Sequence, residues 1–164
     1  MKKIIIALVI ALSGLVSGLA SAQNVVDKGS NLINLGVGLN SVQSHNYLTL
    51  SGSWDYGVAG ALWDNQSALS LGVLGSFSTG NGVRSIIVGP TIGLHYHFIP
   101  ALDTYARLML GYSAWMYDDP DFNEGGFGWG FNVGVRYLFT SNVGAFIEVG
   151  YGTSVANIGV SFKF

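Results

Sequence analysis

The chain has 164 residues and a formal net charge of −2; 49% of its residues are hydrophobic and only 10% are charged. A soluble domain carries about 25% charged residues, so an ordinary water-exposed surface is excluded, and the slight acidity excludes a nucleic-acid partner. The absence of cysteine excludes a disulfide scaffold, a thiolate metal site and a lipid-modified cysteine.

The chain opens with Met1-Lys2-Lys3, runs through the apolar stretch Ile4 to Leu12 and reaches Ala20-Ser21-Ala22. A charged start, a short apolar segment and a small-x-small site are the features of a secretory signal peptide. Residues 1–22 are therefore expected to be a signal peptide cleaved after Ala22, with 23–164 as a single domain. A retained anchor is the alternative, but Ser13, Gly14, Ser17 and Gly18 interrupt the stretch, which is short for a membrane span. After Ala22, five basic and nine acidic side chains remain, a formal charge of −4.

The remainder alternates with period two, and the spacing predicts eight strands. The first, Asn31 to Leu39, sets Ile33, Leu35, Val37 and Leu39 against Asn34, Gly36 and Gly38. The second, Tyr47 to Val58, alternates Leu48, Leu50, Gly52, Trp54 and Tyr56 with Thr49, Ser51, Ser53 and Asp55. The third, Ala68 to Ser78, sets Leu69, Leu71, Val73 and Phe77 against Ser70, Gly72 and Ser76; Leu74 breaks the alternation. The fourth, Arg84 to Phe98, places Ile86, Val88, Ile92, Leu94, Tyr96 and Phe98 on one face and Gly89, Thr91, Gly93, His95 and His97 on the other. Pro90 removes a ladder hydrogen bond and predicts a bulge or irregular pairing. The last four are Thr104 to Trp115, Phe127 to Phe139, Val143 to Gly152 and Val155 to Phe164. Short turns at 99–103 and 140–142 contrast with a longer acidic connection at 117–126, the asymmetry expected of inner turns and outer loops. The asymmetry is imperfect, because 59–66 is long for an inner turn and Thr153-Ser154 is short for an outer loop.

A sheet crosses hydrocarbon only by closing on itself, since every backbone donor and acceptor must be paired within the protein. Strands of about ten residues at ~3.3 Å rise, tilted about 40°, span roughly 25 Å, the height of an outer-membrane apolar band. Aromatic residues fall at strand ends on the apolar face: Tyr56, Tyr96, Phe98, Tyr137, Phe139, Phe162 and Phe164 at one end, and Phe77, Phe127, Trp129 and Tyr151 at the other. Such girdles mark the two membrane interfaces. A soluble barrel would instead turn a charged face outward, whereas the second face here is rich in glycine and serine. The expected fold is all-β, an eight-stranded antiparallel up-and-down transmembrane β-barrel.

The tail runs from Gly134-Val135-Arg136-Tyr137 through Glu148-Val149-Gly150-Tyr151-Gly152 to Asn157-Ile158-Gly159-Val160-Ser161-Phe162-Lys163-Phe164. With it, the span Asn31 to Phe164 resembles the OmpA/OmpX-like small outer-membrane β-barrels, also described as an outer-membrane β-barrel or porin-like domain. The resemblance implies a Gram-negative outer membrane, a filled lumen, and contact with outer-membrane lipid and lipopolysaccharide. It also implies that Ile158, Val160, Phe162 and Phe164 form the signal read by the barrel-assembly machinery.

With the termini periplasmic, the inward charges Asp55, His95, His97, Arg107, Arg136, Glu148 and Lys163 are expected to form a structural network in the periplasmic half of the lumen. Arg136 and Glu148, on hairpin-linked strands, are near enough for a cross-strand pair. His95 and His97 share one wall, but no third ligand is evident, so no metal and no cofactor is expected. The acidic loop residues Asp118, Asp119, Asp121 and Glu124 resemble the start of a calcium loop but lack its later positions, with Gly130 where the closing glutamate would stand. A solvated loop is expected, with weak cation binding or a contact through Phe122 as alternatives. Ser44 and His45 in the first outer loop raise a lipid-modifying enzyme, yet no third orienting group accompanies them. The expected protein is a monomeric, non-enzymatic barrel with a structural or surface-interaction role; a narrow channel for ions or small solutes is the alternative.

Overall fold

The computed structural model describes residues 24–42, 45–80, 82–118, 121 and 123–164. The expected signal peptide and Ser44, Asp119 and Phe122 lie outside them. Eight strands follow in order: β1 Asn31–Val42, β2 His45–Gly60, β3 Ser67–Gly80, β4 Val83–Ile99, β5 Leu102–Tyr117, β6 Glu124–Leu138, β7 Val143–Tyr151 and β8 Ala156–Lys163. Each pairs antiparallel with the next, and β8 pairs with β1, closing the barrel. Closure leaves no continuous sheet edge.

Alternation decides which way each side chain points. The apolar parity is exposed throughout, including Leu35, Val37, Leu50, Ile92, Leu110, Val133, Ile147 and Ile158, while Asn34, Ser53, Ser70, Thr91, Arg107 and Ser161 are buried. This inverts a soluble protein, as a hydrocarbon surround requires. The aromatic girdles form ring contacts at the end that carries both termini, Tyr96 with Phe98 at 4.9 Å and Tyr137 with Phe139 at 5.6 Å. At the far end Trp129 meets Tyr151 at 5.0 Å.

At Pro90 the second of the two expected outcomes holds: it stands opposite Val73 in an unbroken β3–β4 ladder, but on the β5 side pairing lapses at Gly89 and Pro90, with no bulge. The bulges fall instead at Gly57/Ala59 and His97/Ile99. The loop asymmetry is absent, because β6 begins at Glu124 and leaves only 118–123 between β5 and β6, against 61–66 at the opposite end. Strand lengths are uneven instead, with 17 residues in β4 and 8 in β8. At about 3.3 Å rise and 40° tilt these correspond to roughly 43 and 20 Å along the axis. The wall is therefore high around β2–β5 and low at β7–β8.

Leu74, the break in the third strand's alternation, faces inward at 3% exposure and forms an apolar layer inside the β3–β5 wall with Ile87 and Met109. A second apolar cluster, Val25, Val26, Leu32, Ala68 and Leu138, closes the terminal end. Residues 24–30 lie inside that mouth as a cork, tied to the wall by the Gly29 N–H to Gly57 O and Gly57 N–H to Ser30 O bonds. Gly57 has to be glycine, since a Cβ there would overlap the Asp27 carbonyl oxygen.

Candidate functional site

The lumen charges fall on the inward parity of β2, β4, β5, β6 and β7. The Arg107 guanidinium bridges two strands, donating through Nη2 to Asp55 Oδ2 at 2.8 Å and through Nη1 to Glu148 Oε1 at 3.1 Å. Arg136 donates through Nη1 to Asp103 Oδ2 at 3.0 Å and through Nε to Ser161 Oγ at 3.1 Å. Both guanidinium groups lie over the Tyr105 ring, their carbons 5.2 and 4.8 Å from its centroid, a cation–π distance for each. The Tyr105 hydroxyl donates to Glu148 Oε1 at 2.7 Å. Gly134 makes room for this ring, because a Cβ there would stand 2.6 Å from Tyr105 Cζ.

Neutral side chains complete the network. Asn34 Nδ2 donates to Asp55 Oδ2 and to Ser53 Oγ, both at 2.9 Å, and Asn34 Oδ1 accepts from Ser161 Oγ at 2.7 Å. Asn157 Nδ2 donates to Ser51 Oγ at 2.8 Å and Glu148 Oε2 at 3.3 Å. Nearer the far end, Thr153 in the β7–β8 turn folds inward, donating to Asn132 Oδ1 at 3.0 Å, and its carbonyl accepts from Ser76 Oγ of β3 at 3.4 Å. Among the described residues, side chains thus fill the lumen from the terminal end to the level of Thr153. A cavity of about 10 Å³ beside Asn34, Ser51, Glu148 and Asn157 has room for one water.

Placement differs from expectation for four residues. Arg136 and Glu148 do not pair with each other: on the β6–β7 ladder Gly134 stands opposite Glu148 and Arg136 opposite Phe146, so Arg136 instead pairs with Asp103, its facing residue on the neighbouring β5, and Glu148 reaches past β6 to Arg107. Lys163 lies at the rim, where Nζ donates to the Asn24 carbonyl at 2.6 Å. Asp103, read as part of a turn, is fully buried on β5 and organises the terminal half of the network. It shares inward parity with Tyr105 and Arg107, and that parity is the signal that would have found it.

The histidines are committed to hydrogen bonds. His95 Nδ1 lies 3.0 Å from Asp103 Oδ2, and its Nε2 lies 2.8 Å from Ser70 Oγ. This is the hydroxyl–imidazole–carboxylate order of nucleophilic catalysis, but Ser70 is 1% exposed and Asp103 is also held by Arg136. His97 Nδ1 faces the Gln66 carbonyl at 2.9 Å and Nε2 accepts from Val26 N–H at 3.1 Å. That pattern fixes the neutral Nδ1–H tautomer, so the 3.7 Å approach of His97 Nε2 to Asp103 is proximity and not an ion pair. Both rings lack a nitrogen to offer a metal, and among the described residues no set of three or more metal-ligating side chains occurs.

Of the remaining expected residues, Ile158 and Val160 point outward on β8, and Phe164 follows the strand at 71% exposure. Asp118 follows β5, Glu124 opens β6, and Asp121 lies between them, all exposed.

A closed antiparallel barrel of eight strands, apolar outside and packed with polar side chains inside, defines the small transmembrane β-barrel fold. No family model and no curated protein matches the sequence. Solved structures sharing the fold include the N-terminal β-barrel domain of Pseudomonas aeruginosa OprF, 17% identical with a TM-score of 0.58, covering 84% of this chain and 98% of that one. A de novo designed transmembrane β-barrel matches at 18% identity and 0.58, with 84% and 98% covered. Ail, the attachment invasion locus protein of Yersinia pestis, matches at 10% and 0.54, with 84% and 99% covered. At these identities the likeness is one of fold.

Proposed function

We propose that this chain is an integral outer-membrane protein of the small-barrel type, exported by its N-terminal segment, with a structural or surface-interaction role and no enzymatic activity. One observation carries the reading: the lumen is filled from the Val25–Val26 cork, through the Arg107–Arg136 network and the Leu74–Ile87–Met109 layer, to the inturned Thr153. Eight-stranded barrels leave little more than side-chain room, and this one uses it. The lipid-facing band and aromatic girdles support contact with outer-membrane lipid and lipopolysaccharide. The outward Ile158, Val160, Phe162 and Phe164 suit recognition by the barrel-assembly machinery, and the short connections suit a monomer without a large receptor surface. The sealed Ser70–His95–Asp103 arrangement supports a structural use of those groups. A narrow pore is the competing reading.

Planar-bilayer recording with the purified chain separates the two. Silence is expected. A steady conductance that survives refolding controls and a change of detergent overturns the filled-barrel reading in favour of the pore.

A further inference from the structure

The segment 24–30 is not part of the barrel wall, yet Val25 and Val26 are 0% exposed within it. Four kinds of contact dock it. The Gly29–Gly57 and Ser30–Gly57 backbone bonds tie its last residues to β2. At its start, Asn24 donates to the Asn65 carbonyl at 2.9 Å and accepts from Lys163 Nζ at 2.6 Å. The two valines bury against Leu32, Ala68 and Leu138. The fourth contact, Val26 N–H to His97 Nε2 at 3.1 Å, is the one whose acceptor can itself take up a proton.

We propose that residues 24–30 are a detachable cork whose docking is governed by His97: the neutral imidazole holds the segment in the barrel mouth and the protonated imidazole releases it. Because His97 Nδ1–H is committed to the Gln66 carbonyl, Nε2 carries the lone pair that Val26 N–H needs. Adding a proton at Nε2 sets two N–H groups against each other. The new N–H has a competing acceptor in Asp103 Oδ1, 3.7 Å away, so the ring has a reason to turn from the cork.

The charged groups around the ring act in both directions. Asp103 on β5, 3.7 Å from Nε2, and Asp27 on the cork bring negative charge to the ring, and His95 on β4 is the other titratable neighbour. Arg136 on β6 already engages Asp103, and Lys163 on β8 adds positive charge at the same rim. Release leaves the wall intact, because no β-ladder passes through 24–30. It frees a short arm bearing Asp27 and Lys28 and bares the apolar lining of the mouth. The device operates whether or not the lumen conducts, so it stands apart from the filled-barrel reading.

Losing a buried hydrogen bond and orphaning its donor shifts such an equilibrium by about tenfold or more. Hydrogen–deuterium exchange of the chain, purified from cell membranes into lipid nanodiscs and corrected for the intrinsic rate at each pH, reads the docking. Protection of the 25–30 amides is expected to fall about tenfold or more from pH 7.5 to 5, with the β1–β8 ladders unchanged. His97→Gln keeps an acceptor that does not titrate, so it stays protected at both pH values; His97→Leu is unprotected at both. Wild-type protection that ignores pH overturns the proposal, as does a His97→Gln chain that retains the wild-type fall. Should His97→Gln fail to fold, nitrogen NMR of the unmutated chain decides. Protonation of His97 Nε2 has to coincide with the loss of Val26 protection, and a mismatch in pH rejects the switch.

Discussion

Replacing Arg107 with methionine tests the lumen network at its centre. Arg107 is 2% exposed and holds two carboxylates, so its loss strands negative charge where water does not reach. The two acids do not suffer equally. Glu148 keeps the Tyr105 hydroxyl at 2.7 Å and the Asn157 amide at 3.3 Å. Asp55 keeps only Asn34 on Oδ2, its Oδ1 accepts no hydrogen bond, and Arg136 Nη2 stays 3.8 Å away. Breaking one buried pair costs about 3–5 kcal/mol. The surviving partners of Glu148 hold the total to that range rather than doubling it. Against a typical stability of about 5–15 kcal/mol this is a large fraction. The triple variant Asp55→Asn, Arg107→Met, Glu148→Gln removes the uncompensated charge and is expected within about 1–2 kcal/mol of wild type. Urea titration of the barrel in lipid vesicles, followed through the fluorescence of its four tryptophans, measures both. A single variant within about 0.5 kcal/mol of wild type would mean that water solvates Asp55, and the sealed lumen would be refuted. A triple variant as damaged as the single one would show that packing, not charge, sets the cost.

Further outcomes follow from the same packing. Leu74→Ala removes the centre of the inward apolar layer and should cost about 2–4 kcal/mol in that titration, whereas lipid-facing Leu71→Ala should cost less than half as much, because lipid replaces the lost contacts. Equal costs would place Leu74 against lipid. Gly57→Val drives a side chain into the Asp27 carbonyl, so proteolysis near 24–30 should accelerate while the heat-modifiable migration of the folded barrel persists; unchanged proteolysis would mean that the cork does not dock there. A fluorophosphonate probe should leave Ser70 unlabelled in the folded barrel, since its hydroxyl is buried behind the wall. Labelling lost in Ser70→Ala would show an accessible nucleophile and reopen the enzyme class.

Much of this architecture was legible in the residues because a β-strand has a strict period of two and a barrel wall has only two faces. Parity alone placed Asp55, His95, Arg107, Arg136 and Glu148 inside and Leu35, Ile92 and Val160 outside, and strand boundaries deviated by no more than about three residues. Parity says nothing about which strands face each other across the lumen. Arg136 and Glu148 lie on one hairpin, yet Arg136 pairs with Asp103 opposite it on β5, and Glu148 reaches past β6 to Arg107. The cork was invisible for a related reason: Val25 and Val26 follow no alternation, and only the closed mouth with Gly57 at its lip gives them a place. Leu74, an anomaly in the pattern, became an interior layer once Ile87 and Met109 were brought beside it from two other strands. The sequence by itself determined the strands, their faces and the medium they suit, because these depend on neighbours along the chain. Only the closed barrel settles the Arg107–Asp55 pair, the filled lumen and the docking of the first segment on His97, because those contacts join residues far apart along the sheet, whereas the Arg136–Asp103 pair joins facing residues of the adjacent β5 and β6.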